Sequence, residues 1–238
     1  MVDENDLNPQ ASELEARKSA LERAQSSTTE NTDEVFVHPD EPKNRINRGD
    51  EINIIQKDPT LRDLMVGVGW DLKKFESTPL DLDVSVFLLD RNEKTRVDED
   101  FIFYNNEVGC DGAVTHGGDS RTGAGDGDDE IINLKLSELP FDILKISFVL
   151  SIYPNETQQH DFSMVRNVYF RVVNKATGHE LFRYELNEEL GGEEGLVIAE
   201  LERVGTDWIF HAIGETVEGG LATIADNYGI IVAEMVQA

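Results

Sequence analysis

The chain has 238 residues, of which 48 are acidic and 21 are basic, so its formal net charge is −27 at pH 7. Such a charge disfavours binding to nucleic acid and direct adsorption to anionic lipid, because both present negative phosphate groups. The hydrophobic share of 39% is still enough for a sizeable core. Cations and basic proteins remain as candidate partners. The alternative interpretation is that the negative charge serves only to keep the protein soluble.

The cysteine content and the apolar runs predict a cytoplasmic protein. Cys110 is the only cysteine, so no disulfide can form within the chain, as is typical of a reducing compartment. The acidic residues after Met1 are not followed by an apolar run, so we expect no signal peptide. The apolar stretch 143–153 is too short to span a bilayer and contains Lys145. We therefore expect no direct membrane insertion.

Residues 1–34 form an acidic N-terminal arm without aromatic side chains. A capping box at residues 12–15 predicts a short helix over 12–25. Leu14 and Leu21 would give that helix only a thin apolar stripe, too narrow for a place in a core. Two interpretations remain open, a disordered acidic tail and a docking arm.

Residues 35–238 are predicted to fold as an all-β domain, a two-sheet β-sandwich with few short helices. Short apolar runs bounded by turn residues predict strands at 35–37, 64–70, 84–89, 101–104, 131–134, 144–153, 168–173, 181–184, 196–201 and 208–213. Both faces of the strand 84–89 are apolar, so we expect it in the middle of a sheet. One turn of helix at 161–167 and a C-terminal helix at 220–227 complete the prediction.

The loop from residue 105 to residue 130 is dense in acids and contains a single base, Arg121. Compact folding would bring these like charges together, and a bound Ca²⁺ would offset the repulsion while taking oxygen ligands. Asp81 and Asp83 alternate at the start of a buried strand and so share one face. Glycines within 123–127 would let the chain bend around an ion. The sequence therefore predicts one or two Ca²⁺ ions bound by acidic loops at one end of the sandwich.

Other familiar sites fit this loop poorly. An EF-hand starting at Asp126 would need glycine where Ile131 stands and glutamate where Ser137 stands. Zinc is disfavoured because thiolates and imidazoles are few, and we expect His116 to be a packing or hydrogen-bonding residue. Cys110 is interpreted as a buried turn residue rather than a nucleophile, since acidic surroundings raise a thiol pKa.

Four segments combine glycines, acids and apolar residues in a specific order, namely residues 67–71, 81–89, 100–106 and 125–130. They resemble the TerD family of tellurium-resistance and stress-response proteins, over about residues 46–230. The resemblance implies a β-sandwich that binds Ca²⁺ through these acids, a bacterial stress-response setting and protein partners at the inner face of the membrane. It implies no enzymatic activity, and the N-terminal arm lies outside it.

The sequence thus predicts a calcium-binding, non-enzymatic interaction or scaffold module, cytoplasmic or held at the inner membrane through a partner protein, with a homo-oligomer among the forms considered. The alternatives are a metal-assisted hydrolase that uses the same carboxylates and a structural acidic subunit without a specific ion. The candidate calcium ligands are Asp71, Asp81, Asp83, Asn105, Asn106, Asp111, Gly112, Thr115, Asp119, Asp126, Asp128, Asp129 and Glu130.

Overall fold

The computed structural model describes residues 44–72, 80, 82–117, 127–153, 160–186 and 190–230. The predicted arm, with its helix and the strand 35–37, lies outside these residues. Within them the strands form two sheets that enclose one main hydrophobic core, which confirms the predicted all-β sandwich. No helix in this described part is long and apolar enough to cross a bilayer.

Strands follow one another along most of the described chain, and helices are few. The strands are β1 (Arg45–Ile46), β2 (Glu51–Asn53), β3 (Asp63–Leu72), β4 (Leu82–Leu89), β5 (Phe101–Ile102), β6 (Val108–Gly109), β7 (Val114–His116), β8 (Glu130–Lys135), β9 (Lys145–Ile152), β10 (Val165–Asn174), β11 (His179–Leu186), β12 (Gly195–Val204) and β13 (Asp207–Val217). Within the described residues the α-helices are α1 (Ile54–Lys57) and α2 (Gly220–Tyr228). The helix predicted at 161–167 is only a 3-10 turn at Phe162–Met164, because strand β10 begins at Val165. The seven-stranded sheet has the order β1-β11-β10-β3-β8-β7-β6, and the six-stranded sheet has the order β2-β13-β12-β9-β4-β5. All pairs are antiparallel except β1 with β11.

The core forms where the inward faces of the two sheets meet. Alternate residues of β3, among them Leu64, Val66 and Val68, are fully buried, as the period of a strand requires. Four aromatic rings connect the sheets, with neighbouring centroids 4.8 to 5.5 Å apart: Phe148, Phe170, Phe182 and Phe210. Burial of each such side chain contributes about 1.5–3 kcal/mol, so these rings help to hold the two sheets together.

Strand β4 is buried on both faces, as its sequence predicts, but for a different reason. It lies next to the short edge strand β5 rather than in the middle of the sheet. Its outward side chains Phe87 and Leu89 pack with Val149 and with Ile224 of α2. Helix α2 therefore covers the outer face of the six-stranded sheet, and its position confirms the predicted C-terminal helix.

Local hydrogen bonds explain where short elements depart from the prediction. Helix α1 was not predicted, and it begins where the Asn53 side chain accepts the N–H of Gln56 at 2.9 Å. The predicted strand 101–104 ends at Ile102, because Phe103 and Asn106 exchange backbone hydrogen bonds in a tight turn. A turn of this kind has no periodic apolar pattern from which it could be predicted.

Candidate functional site

Three consecutive acids lead into β8, and their carboxylates point in three different directions. Asp128 lies on the outer face of the seven-stranded sheet, where Arg171 of β10 binds it. Asp129 binds the backbone of β3, and Glu130 points inward and contacts β4 in the opposite sheet. The end of the acidic loop is thereby attached to three strands at once.

Asp128 is held by a two-pronged ion pair. The Nε and Nη2 atoms of Arg171 donate to its two carboxylate oxygens, each at 2.7 Å, and the Asp128 side chain is only 4% exposed. The Tyr169 hydroxyl lies 3.1 Å from the same carboxylate and donates to the carbonyl of Gly127 at 2.7 Å. The hydrogen bonds to Asp128 raise the pKa of Arg171, and burial together with the charge of Asp128 raises the pKa of Tyr169.

Two glycines of β3 make room for this arrangement. Gly67 lies opposite Arg171 in the strand register, and Gly69 lies opposite Tyr169. A Cβ atom on Gly67 would overlap the Asp128 carboxylate, and one on Gly69 would overlap the Tyr169 ring. The glycines of the motif at 67–71 therefore leave space for side chains of neighbouring strands to lie flat on the sheet.

Asp129 is a buried carboxylate in a crowded acidic setting. One of its oxygens accepts the backbone N–H of Trp70 at 2.8 Å, and its own N–H donates to the carbonyl of Val68 at 2.8 Å. Burial raises the pKa of Asp129, and the charges of Asp71 and Asp128 raise it further against the lowering effect of the Trp70 hydrogen bond. A cation at this position would relieve the crowding of negative charge.

Glu130 joins the two sheets inside the sandwich. Its carboxylate accepts the N–H of Val84 at 2.8 Å, and the Nε2 atom of His116 lies 3.2 Å from both that carboxylate and the carbonyl of Val84. Both neighbours of Nε2 are acceptors, so Nε2 carries the proton. Burial lowers the pKa of His116, but the hydrogen bond and charge of Glu130 outweigh burial and leave it raised. The predicted hydrogen-bonding role of His116 is confirmed.

Two further candidate ligands begin or end strands near this group. Asp71, near the end of β3, is exposed and accepts a hydrogen bond of 2.6 Å from the side chain of Asn167. Asp83, near the start of β4, is 9% exposed and lies opposite Ser151 of β9. Strands β3 and β4 therefore bring both acids to the end of the sandwich at which β8 begins.

The asparagine pair lies at the same end. His116 donates its backbone N–H to the carbonyl of Glu107 at 2.8 Å, which places the turn before Glu107 beside the start of β8. The side-chain amide of Asn106 donates to the carbonyl of Phe101 at 2.6 Å and so closes that turn. Asn105 is exposed at its tip.

The remaining candidate ligands are not brought together with this group. Asp111 and Gly112 form a left-handed turn, with φ angles of 54° and 91°, at the Lys135 end of β8. Thr115 lies in the middle of β7. The last three candidates lie outside the described residues: Asp81, Asp119 and Asp126. Among the residues that the structure does describe, no three acidic, histidine or cysteine side chains are arranged to hold a metal ion.

Some residues of this region carry chemistry that sequence patterns did not indicate. Tyr169 and Arg171 read as ordinary outward-facing residues of a strand, and only the register of β10 against β3 pairs them with the two glycines. The half-buried thiol of Cys110 behaves as predicted for a turn residue, since burial and the nearby Asp100 raise its pKa. A thiol in this state is a poor nucleophile.

The fold and this acidic end define a class of protein, a β-sandwich whose negatively charged loop is attached to both sheets. The chain belongs to the TerD family, because the TerD domain model matches residues 43–228. It is 40% identical to the tellurium resistance protein TerD of Serratia marcescens over 185 residues, which are 78% of this chain and 96% of that protein.

One further relative is similar in sequence, and one solved structure is similar in fold. General stress protein 16U of Bacillus subtilis (strain 168) is 44% identical over 184 residues, which cover 77% of this chain and 95% of that protein. A crystal structure of a TerD homologue from Streptomyces coelicolor A3(2) superposes with a TM-score of 0.56 at 20% identity. That comparison covers 69% of this chain and 95% of the other, and it supports the fold.

Proposed function

We propose that this protein is a calcium-binding, non-enzymatic interaction module of a bacterial tellurium-resistance and stress-response system. Its relatives carry the names of tellurium-resistance and general stress proteins. We further propose that it acts in the cytoplasm through protein partners, at the inner membrane face in particular. A second copy of the chain is one of the partners that we propose.

The observation that carries the calcium proposal is the environment of Asp129. This carboxylate is 9% exposed, and its pKa is raised by burial and by the charges of Asp71 and Asp128. The described fold is interrupted between Gly117 and Gly127, and both of these glycines lie at this same end. Carboxylate and carbonyl oxygens are the donors that Ca²⁺ takes in flexible geometry, whereas Mg²⁺ requires a tight octahedron.

The carboxylates at this end differ in burial and in the hydrogen bonds that they already accept. Asp129 keeps one oxygen on the Trp70 N–H, and Asp83 is largely buried near the start of β4. Calcium would neutralise acids at this end and tie the loop to β3 and β4. Asp81, Asp119 and Asp126 are the candidates that would complete the coordination.

One cavity of the described residues lies away from the acids of this end. A cavity of about 400 Å³ is lined by Asn44, Lys57, Asp58, Thr177, His179 and Leu181. It lies at the Asn174 end of β10, whereas Asp71 and Asp129 lie toward the Val165 end. A metal-assisted hydrolase would need a substrate cleft beside the carboxylates and remains the alternative that a hydrolysis assay tests.

Calorimetric titration of the metal-free protein with Ca²⁺ tests the proposal. We expect saturable binding of one or two ions, weaker binding in Asp129→Asn, and unchanged binding in the exposed control Glu218→Gln. A parallel assay should detect no hydrolysis of nucleotides, esters or glycosides. Absence of binding at millimolar Ca²⁺ would remove the calcium role, and hydrolysis that depends on Asp129 would replace it with the enzyme alternative.

A further inference from the structure

We propose that Asp128 anchors the acidic loop instead of ligating the ion, and that Arg171 and Tyr169 are positioning residues for the calcium site. The inference rests on the proposed calcium function and refines it, because it separates Asp129, which binds the ion, from Asp128, which holds the loop. The sequence alone had grouped Asp128 with the candidate ligands.

The first reason is that the protein already satisfies the Asp128 carboxylate. Both of its oxygens accept hydrogen bonds of 2.7 Å from Arg171, and the side chain is 4% exposed. Two-pronged pairs between guanidinium and carboxylate are among the strongest hydrogen-bonded contacts in proteins. Arg171 is itself fixed, since its Nη1 atom donates to Glu180 at 3.1 Å. A calcium ion would have to break or share this contact.

The second reason is that the sheet is shaped for the anchored position. Gly67 leaves the space that the Asp128 carboxylate occupies, and a Cβ atom there would overlap it. The strand register places Gly67 directly opposite Arg171. Backbone, arginine and carboxylate therefore form one preformed arrangement that needs no ion.

The third reason is where the anchor acts along the chain. Tyr169 holds both the Asp128 carboxylate and the carbonyl of Gly127, the residue at which the acidic loop rejoins the described fold. Fixing Gly127 and Asp128 fixes the neighbouring Asp129, whose backbone and side chain contact β3. Residues that orient metal ligands without touching the metal typically change affinity by about 10–100-fold when they are replaced.

The test uses the sign of the change in Ca²⁺ affinity. If Asp128 is an anchor, Arg171→Gln loosens the loop and weakens Ca²⁺ binding by about 10–100-fold, as measured by calorimetry. If Asp128 is a ligand, Arg171 competes with the ion, and the same substitution strengthens binding. Arg45→Gln is the matched control, because it removes one positive charge from the same sheet, where Arg45 pairs with Glu185 and not with Asp128, Tyr169 or Arg171. An unchanged or higher affinity in Arg171→Gln, relative to this control, overturns the proposal.

Milder variants keep the test decisive where Arg171→Gln fails to fold. Tyr169→Phe removes only the hydroxyl that contacts Asp128 and Gly127, and Gly67→Ala displaces the carboxylate without altering any acid. We expect both to weaken Ca²⁺ binding. The charge-swapped pair Asp128→Arg with Arg171→Asp should recover binding relative to either single change, whereas binding should stay weak if the Asp128 carboxylate is itself a ligand.

Failure of the calcium proposal itself has a separate signature. If the unaltered protein binds no Ca²⁺, the proposed function is wrong. The anchoring role of Asp128 is then tested by thermal unfolding of the variants in the presence of chelator. Asp128→Asn, Arg171→Gln and the double variant should then lower the midpoint by similar amounts, because the two residues act as a pair. If the double variant lowers the midpoint by the sum of the two single changes, the proposed anchoring role of Asp128 is wrong.

Discussion

The carboxylate of Glu130 accepts a hydrogen bond of 2.8 Å from the backbone N–H of Val84, although the two residues belong to opposite sheets. Strand β5 pairs with β4 only at Val86 and Phe87, so it does not reach Val84. Glu130 takes the place of the missing strand for the N–H, and His116 does so for the carbonyl. Two side chains of the seven-stranded sheet thus complete the edge of the six-stranded one.

We predict that removing either side chain destabilises the metal-free protein. Glu130→Leu leaves the buried N–H of Val84 without its acceptor, and His116→Phe leaves the carbonyl without its donor. Each loss should cost at least about 1–3 kcal/mol, the penalty for an unsatisfied buried polar group. Chemical denaturation in the presence of chelator measures it.

The control for this pair is a histidine outside the core. His211 also lies beside carboxylates, Glu51 and Glu202, but both of these are well exposed. Exposed ion pairs contribute about 0–1 kcal/mol, so His211→Phe should have a small effect. Equal losses for His116→Phe and His211→Phe would show that the contact between the sheets contributes little.

The second prediction concerns the room that Gly69 leaves for Tyr169. Gly69→Ala places a methyl group within the Tyr169 ring, so the ring must move, and overpacking of this kind costs about 1–3 kcal/mol. Tyr169→Ala removes the obstacle. In that background Gly69→Ala should have almost no further effect on the free energy of unfolding, and a full additional loss would mean that the glycine serves another purpose.

The third prediction is a pH dependence carried by Glu180. Burial raises the pKa of this carboxyl, but hydrogen bonds from Arg183 and Arg171 outweigh burial and leave it lowered. A carboxyl with a lowered folded pKa stabilises the protein above its unfolded pKa of about 4.3, and this contribution is lost as the pH falls through the folded value.

Glu180→Gln should therefore be less stable than the unaltered protein at neutral pH, and the difference should shrink below about pH 4.3. Urea denaturation at a series of pH values measures this difference. Glu218→Gln, at an exposed position, serves as the control and should follow the unaltered protein throughout. A difference that grows as the pH falls would contradict the assignment.

The fourth prediction concerns α2 as the cover of the six-stranded sheet. Ile224 is 2% exposed and packs against the outward face of β4 and β9. Ile224→Ala should reduce the free energy of unfolding by about 2–5 kcal/mol, as in other buried large-to-small changes. Thr223→Ala, one residue earlier on the exposed side, should change it little. Equal effects would mean that the helix is only loosely attached.

The alternation of apolar residues along the chain predicted most of the strands of this structure, and contacts between distant residues account for the rest. Alternating apolar residues predicted β3, β4 and the sandwich, because a buried face of a strand shows as apolar residues at every second position of the sequence. The pairing of Gly67 with Arg171 depends on strand register, which no local pattern specifies. The acids of the loop were visible in the sequence, but the different partners of Asp128, Asp129 and Glu130 were not.

The central claim, that calcium stabilises this fold through its acidic end, is tested most directly by thermal unfolding with chelator and with Ca²⁺. An ion that binds only the folded state adds about 2.7 kcal/mol at a free concentration about 100-fold above its dissociation constant. We expect a clear rise of the midpoint with Ca²⁺, a smaller rise with Mg²⁺, and a reduced calcium response in Asp129→Asn but not in Glu218→Gln. A midpoint that is the same in chelator and in millimolar Ca²⁺ would contradict the account.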